Sequence, residues 1–142
     1  MIHKGACHCG NIELELKTEI PPAEFTVRAC QCSFCRKHGT RAVADPQGAL
    51  TVTVRDENQL NRYRFGLQTA DYLICAVCGV YVAAITRDLS APRALAIANA
   101  LEDHEAFSQA PLSMNYDAED EPTRLARRAE KWMPVVIKTT AP

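Results

Sequence analysis

The sequence predicts a mainly β fold with a minor α+β character: antiparallel sheets pinned by metal and a short C-terminal helix. Three observations predict it. Period-two apolar alternation recurs in short segments, seven cysteines fall in close-spaced groups before residue 79, and helical periodicity is confined to one stretch near the C-terminus. At 142 residues the chain is the size of one domain, placed at residues 1–137, with 138–142 as a frayed tail. Sixteen Lys and Arg against 17 Asp and Glu give a net charge of -1, so no global bias draws the chain to nucleic acid or an anionic membrane. Hydrophobic residues at 47% and charged residues at 23% are globular proportions, and no run of ~20 apolar residues is present to span a membrane.

The elements follow in order. Ile12 to Lys17 alternates apolar and charged residues and reads as a strand with one buried face. After a turn at Pro21-Pro22, Phe25 to Ala29 reads as a strand delivering Cys30, and Cys32 to His38 as a tight turn or one helical turn closed by Gly39. Ala42 to Ala44 is a short strand before a turn at Asp45-Pro46-Gln47-Gly48, and Leu50 to Arg55 alternates again with β-branched residues. Tyr72 to Ile74 leads into Cys75-x-x-Cys78-Gly79 and Val80 to Ile85 leads out, the pattern of a hairpin with a metal knuckle at its tip. Ala94 to Ala98 forms a further strand. Pro122 suits a first helical turn, and Leu125, Ala129 and Trp132 recur at helical spacing until Pro134 stops the helix. Its opposite face, with Arg124, Arg127, Arg128 and Lys131, reads as solvated, and Glu119, Asp120 and Glu121 complement the helix N-terminus.

The cysteines fall as Cys7-x-Cys9-Gly10, Cys30-x-Cys32-x-x-Cys35 and Cys75-x-x-Cys78-Gly79. The opening Met1 to Cys7 lacks the apolar stretch of ~7–15 residues that a secretory signal needs, so a cytoplasmic location is expected. In a reducing compartment such clusters are metal ligands or catalytic groups more often than disulfides. Spacings of one or two residues let two thiolates share one tetrahedral Zn²⁺ at ~2.3 Å, and the following Gly permits a left-handed turn. Seven sulfurs divide most naturally as four plus three. Cys7, Cys9, Cys75 and Cys78 then close a structural site, while Cys30, Cys32 and Cys35 leave a second zinc with an exchangeable position, the mark of a catalytic one. Three thiolates blunt Lewis acidity towards water but welcome a fourth sulfur, which suits attack of a small thiol on an aldehyde. Two alternatives stand: His38 closes the middle site as Cys₃His, with His3 and His8 as further donors, or Cys32 and Cys35 join Cys75 and Cys78.

These three ordered motifs, with Gly5 ahead of the first and Ser33, Arg36 and Lys37 in the second, resemble the glutathione-dependent formaldehyde-activating enzyme family, whose domain is shared with centromere protein V. The resemblance runs from about Gly5 to Ile85, with a weaker echo at Ala98 to Asp103. It implies an Mss4-like fold and two zinc ions per chain, one structural and one catalytic, with Cys30, Cys32 and Cys35 beside bound glutathione. It implies a carbon–sulfur lyase that adds glutathione to formaldehyde, giving S-(hydroxymethyl)glutathione. Gln31 stands where relatives often have His, and Ile74 where they often have Phe. Glutathione carries two carboxylates, and Arg36, Lys37 and Arg41 are the cations nearest Cys35 in sequence. Phe34, Tyr63 and Tyr72 read as core, and Trp132 as the anchor of the helix. The competing reading is a zinc-stabilised binding module with two closed sites. A methionine-sulfoxide-reductase-like enzyme is disfavoured, because no Cys follows Cys78 to act as a late nucleophile.

Overall fold

The computed structural model describes residues 1–87 and 90–140. Eleven strands and two α-helices follow in chain order: β1 (Ile2–Ala6), β2 (Ile12–Lys17), β3 (Arg28–Cys30), α1 (Ser33–His38), β4 (Ala42–Val43), β5 (Ala49–Val54), β6 (Leu60–Tyr63), β7 (Ala70–Cys75), β8 (Tyr81–Thr86), β9 (Arg93–Ile97), β10 (Leu112–Met114), α2 (Glu121–Lys131) and β11 (Met133–Thr139). The strands form one sheet of order β1-β2-β5-β11-β9-β4-β3-β10, with β6, β7 and β8 running off β9. The mainly β expectation holds. The sheet is mixed rather than wholly antiparallel, because β11 runs parallel to β5 and β10 parallel to β3.

Alternation explains the best-defined strands. Ile12, Leu14 and Leu16 point into the core with almost no exposure, and Leu50, Val52 and Val54 do the same on β5, which pairs antiparallel with β2 along its length. Phe25, Val27, Leu73, Phe107 and Met133 join this core. A second, smaller cluster of Ala42, Tyr81, Ile97 and Trp132 packs behind the cysteine region.

The C-terminal segment departs from the sequence reading. Pro134 does end the helical stretch, but as the second residue of β11, where its ring is exposed and costs no ladder bond in the core. Met133 and Pro134 pair with β9, and Val135 to Thr139 then pair with β5, so β11 is the seam that joins the two halves of the sheet. Lys138 and Thr139, expected in a frayed tail, pair with Thr53 and Val54, while residues 141–142 of that tail lie outside the described residues. Strands β1, β6 and β10 were also unforeseen, because His3 is a buried polar residue in β1 and β6 and β10 are largely exposed.

Gly5 fixes the approach of β1 to the segment after β9. It bridges Leu101, and a Cβ there would collide with the carbonyl oxygen of Ala100 and come within 2.9 Å of the Leu101 Cα, both backbone atoms that cannot rotate away. Gly5→Ala is therefore expected to lower stability by about 1–3 kcal/mol. Denaturant unfolding should show a lower midpoint at an unchanged slope, and an unchanged midpoint would remove this close approach as a constraint.

Candidate functional site

The first and third cysteine motifs meet as expected. β1 and β2 are joined by a tight turn carrying Cys7 and Cys9, and the β7–β8 hairpin carries Cys75 and Cys78 at its tip. Gly10 and Gly79 adopt φ of +86° and +78°, the left-handed conformation that a side chain resists. The turns aim backbone N–H groups at sulfur: Ile12 donates to Cys7 Sγ at 3.3 Å and Cys78 to Cys75 Sγ at 3.5 Å. The Sγ atoms of Cys7, Cys9, Cys75 and Cys78 lie within 4.8 Å of one another. Cys7–Cys9 is 3.8 Å and Cys9–Cys75 3.5 Å. Four sulfurs placed tetrahedrally around zinc at ~2.3 Å sit about 3.8 Å apart, so this donor set fits that ion.

The middle motif makes a separate cluster. Cys30 ends β3, Cys32 caps the N-terminus of α1 by accepting from the Cys35 N–H at 3.4 Å, and Cys35 is buried on the helix. Gly39 closes α1 in the left-handed region at φ +60°. The three sulfurs lie within 4.8 Å of one another, and no fourth Cys, His, Asp or Glu joins them among the described residues. His38 packs instead against Phe34 and Tyr81, at ring separations of 4.6 and 5.6 Å. His3 bonds Asp103 Oδ2 through Nδ1 at 2.6 Å, and His8 is exposed outside both clusters. All seven thiols are unpaired, and the alternative grouping of Cys32 and Cys35 with Cys75 and Cys78 does not occur.

The electrostatics of both clusters call for a cation. The Cys35 thiol, donating to Cys30, holds Cys30 down at about 6, while that bond, burial and the charge on Cys30 push Cys35 far above the ordinary thiol range. In the other cluster, burial pushes Cys7 up to about 11 against the Ile12 N–H. Cys78 drops to about 6, its desolvation outweighed by the N–H groups of Cys9 and Val80. Each cluster thus favours one thiolate, Cys30 or Cys78, and opposes another, Cys35 or Cys7, a conflict that a bound divalent cation would relieve. Both clusters could hold a metal ion.

Two cavities flank Cys30. The larger, of about 540 Å³, is bordered by Cys30, Cys32 and Ser33 and by Tyr116, Arg124 and Arg127. That is within the range of ~300–1,000 Å³ usual for small-molecule sites. The smaller, of about 60 Å³, reaches Cys35 and is walled mainly by apolar side chains. Tyr72, which the sequence assigns to the core, borders both. Burial raises its phenol, with the charge on Arg128 opposing. Tyr63 is exposed and stacks at 5.5 Å on half-buried Phe34, part of an aromatic group that backs α1.

The cations of these cavities are not those nearest in sequence. Arg36, Lys37 and Arg41 line neither cavity; Arg36 and Lys37 are exposed, and Arg41 donates to the Phe107 carbonyl. Arg28, Arg127 and Arg128 are there instead. Within α2 the packed face differs from the Leu125–Ala129–Trp132 stripe: Ala129 is exposed and Arg128 is 5% exposed. The guanidinium of Arg128 stacks over the Trp132 ring at 4.6 Å and donates to Thr69 Oγ1 at 2.6 Å. Arg128 and Trp132 at i and i+4, beside Arg124 and Arg127, are the sequence signal that marks this face. Trp132 still anchors the helix, as expected.

Glu119 holds this charge in place. It accepts from Arg127 at 2.7 and 3.0 Å and from Arg124 at 3.2 Å, while Asp120 caps α2 by accepting from the Thr123 N–H at 2.9 Å. Arg127 also lies over the Tyr116 ring at 3.6 Å.

Fold and site together define a mainly β protein with a four-thiol cluster, and a three-thiol cluster beside an arginine-lined cavity. The chain belongs to the glutathione-dependent formaldehyde-activating enzyme family, whose model matches residues 2–115. A crystal structure of a Rhodobacter sphaeroides protein is similar, with a TM-score of 0.60 and 32% identity over 78% of this chain and 99% of that one. Helix α2 lies beyond the matched residues. Among the described residues no helix is long and apolar enough to cross a membrane.

The arginines beside Glu119, Arg127 foremost, hold its carboxyl below the usual range. A depressed folded-state value means that its stabilisation is full above the ordinary carboxylate range, about pH 4, and is lost as pH falls through the lowered value. Acidification through that window should therefore weaken the wild type more than Glu119→Gln, measured by denaturant unfolding. The Asp120 cap is common to both proteins, so equal acid sensitivity would mean that the clamp contributes nothing.

Proposed function

We propose that the protein joins a small thiol, glutathione or one like it, to formaldehyde or another small aldehyde, the reverse of a carbon–sulfur lyase cleavage. The observation that carries this is the Cys30–Cys32–Cys35 cluster, which has three sulfurs, no fourth donor among the described residues and a cavity at its side. Cys7, Cys9, Cys75 and Cys78 would hold a structural zinc, and Cys30, Cys32 and Cys35 a second. The second ion, when bound, would supply a soft centre that takes a fourth sulfur and keeps an incoming thiol deprotonated at neutral pH.

The chain's own residues do the rest. Arg124 and Arg127, fixed by Glu119, present guanidinium groups to the carboxylates of a thiol in the larger cavity. Tyr72, kept protonated by burial, offers a hydroxyl donor to a carbonyl oxygen. In the addition a C–S bond forms, the C=O π bond opens and the thiol proton ends on the former carbonyl oxygen. The product is a hemithioacetal, and nothing is oxidised or reduced. Seven unpaired thiols suit a reducing compartment such as the cytoplasm.

Two zinc ions per chain are expected, with Cys30→Ser, Cys32→Ser or Cys35→Ser each losing one preferentially. Zinc-edge X-ray absorption should show the mean sulfur count per zinc rising towards four when glutathione is added. A spectrum indifferent to glutathione, with metal content indifferent to those substitutions, would leave a zinc-stabilised binding module as the better reading.

A further inference from the structure

The smaller cavity is bordered by three arginines, Arg28, Arg127 and Arg128, and by no Asp or Glu; its only thiols are Cys30 and Cys35. Arg127 is partly neutralised by Glu119 from the side of the larger cavity. Arg128 has only the neutral Thr69 hydroxyl and the Trp132 ring, its buried Nε bonds nothing, and among the described residues it forms no ion pair. A guanidinium 95% buried with no carboxylate paired to it, and with the Cys30 thiolate committed to the three-thiol cluster, is a costly arrangement unless an anion completes it. The cavity also reaches Cys30 and Cys35, so an anion bound in its roughly 60 Å³ lies within the length of a small molecule of the three-thiol cluster. In glutathione each carboxylate is separated from the sulfur by an amide linkage and further carbons, whereas in an aldehyde acid the carboxylate adjoins the reacting carbon and fits a cavity of this size beside the thiols.

We propose that this cavity is a carboxylate subsite, and that the aldehyde taken by this protein carries its carboxylate on the carbon next to the carbonyl. Arg128 is then a specificity residue: its fork matches a carboxylate, and the apolar wall around it rejects larger substituents. The inference rests on the thiol–aldehyde reading. Addition proceeds as above, giving a hemithioacetal that retains the carboxylate.

Trp132 is the single tryptophan of the chain, borders the cavity and lies against Arg128, so its fluorescence reports occupancy. The zinc-loaded full-length protein is titrated with glyoxylate, with methylglyoxal as a small aldehyde lacking the carboxylate, and with glutathione alone. Glyoxylate should give a saturable change, and methylglyoxal one at least about tenfold weaker. Arg128→Met should weaken glyoxylate binding by about tenfold or more. Because Arg128 is buried and its loss could disturb folding, Arg28→Gln, at a half-buried position of the same cavity, is a second variant expected to weaken binding several-fold. Equal responses to both aldehydes, or unchanged affinity in both variants, would overturn the subsite. Glutathione alone displacing glyoxylate would assign the carboxylate to the thiol and overturn the choice of aldehyde. Acceleration of hemithioacetal formation from glutathione with formaldehyde and, in a second reaction, with glyoxylate, followed by NMR, tests the parent reading separately. No acceleration with either aldehyde while glyoxylate binding is intact sinks that reading and leaves the subsite standing; acceleration with formaldehyde but neither binding nor acceleration with glyoxylate sinks the subsite alone.

Discussion

Seven thiols crowded into two groups, each within 4.8 Å, are the constraint on which the rest of this molecule depends. Sulfurs at that spacing cannot all be ionised without a cation, and without ionisation they are weak partners for one another. The four-thiol cluster joins segments almost seventy residues apart, since Cys9 and Cys75 lie 3.5 Å from each other. Metal binding at such sites is worth on the order of 10–16 kcal/mol, while a whole domain is stable by only about 5–15 kcal/mol. A metal at this cluster would therefore contribute as much as the net stability of the fold. That magnitude explains why the first strand pair can be tied to the β7–β8 hairpin through two turns rather than through a shared ladder.

The remaining closure comes from β11. Its first two residues pair with β9 and the rest run parallel to β5, so a single seven-residue strand welds the half of the sheet that carries Cys7 and Cys9 to the half that carries the β7–β8 hairpin and the three-thiol cluster. Met133 is fully buried at the crossing and Trp132 immediately precedes it. The anchor of α2 and the seam of the sheet are thus adjacent residues. The orientation of α2 over Cys30 is set by the core and not by a flexible tether.

What could be read from the sequence divides along physical lines. β2 and β5 were legible because each buries one face, and the metal-ligand sets because close cysteine spacing has few structural uses. β8 was legible only as an apolar run, since all six of its residues are buried. β11 was hidden by Pro134, which ends a helix and is equally admissible at an exposed strand position. Arg128 was hidden more thoroughly. An arginine-rich helical face usually meets water, and only the tertiary placement of Trp132 and Thr69 turns this one inward.

That hidden residue marks a division of labour. The thiols, and the knuckles that shape them, lie within residues 2–115, the span that matches the family, whereas Arg124, Arg127 and Arg128 lie beyond it on α2. Of the cavity arginines, only Arg28 comes from the family span. Reactivity at sulfur is set by donor number and charge, which tolerate little change. Recognition of what the thiol meets is set by side chains on a separate helix, which can change without disturbing a ligand. A buried arginine without an acidic partner would be a poor choice for holding a helix to a sheet, because a leucine would fill the space at lower desolvation cost. Its position at the border of both cavities is accounted for by an anion that comes and goes with the substrate.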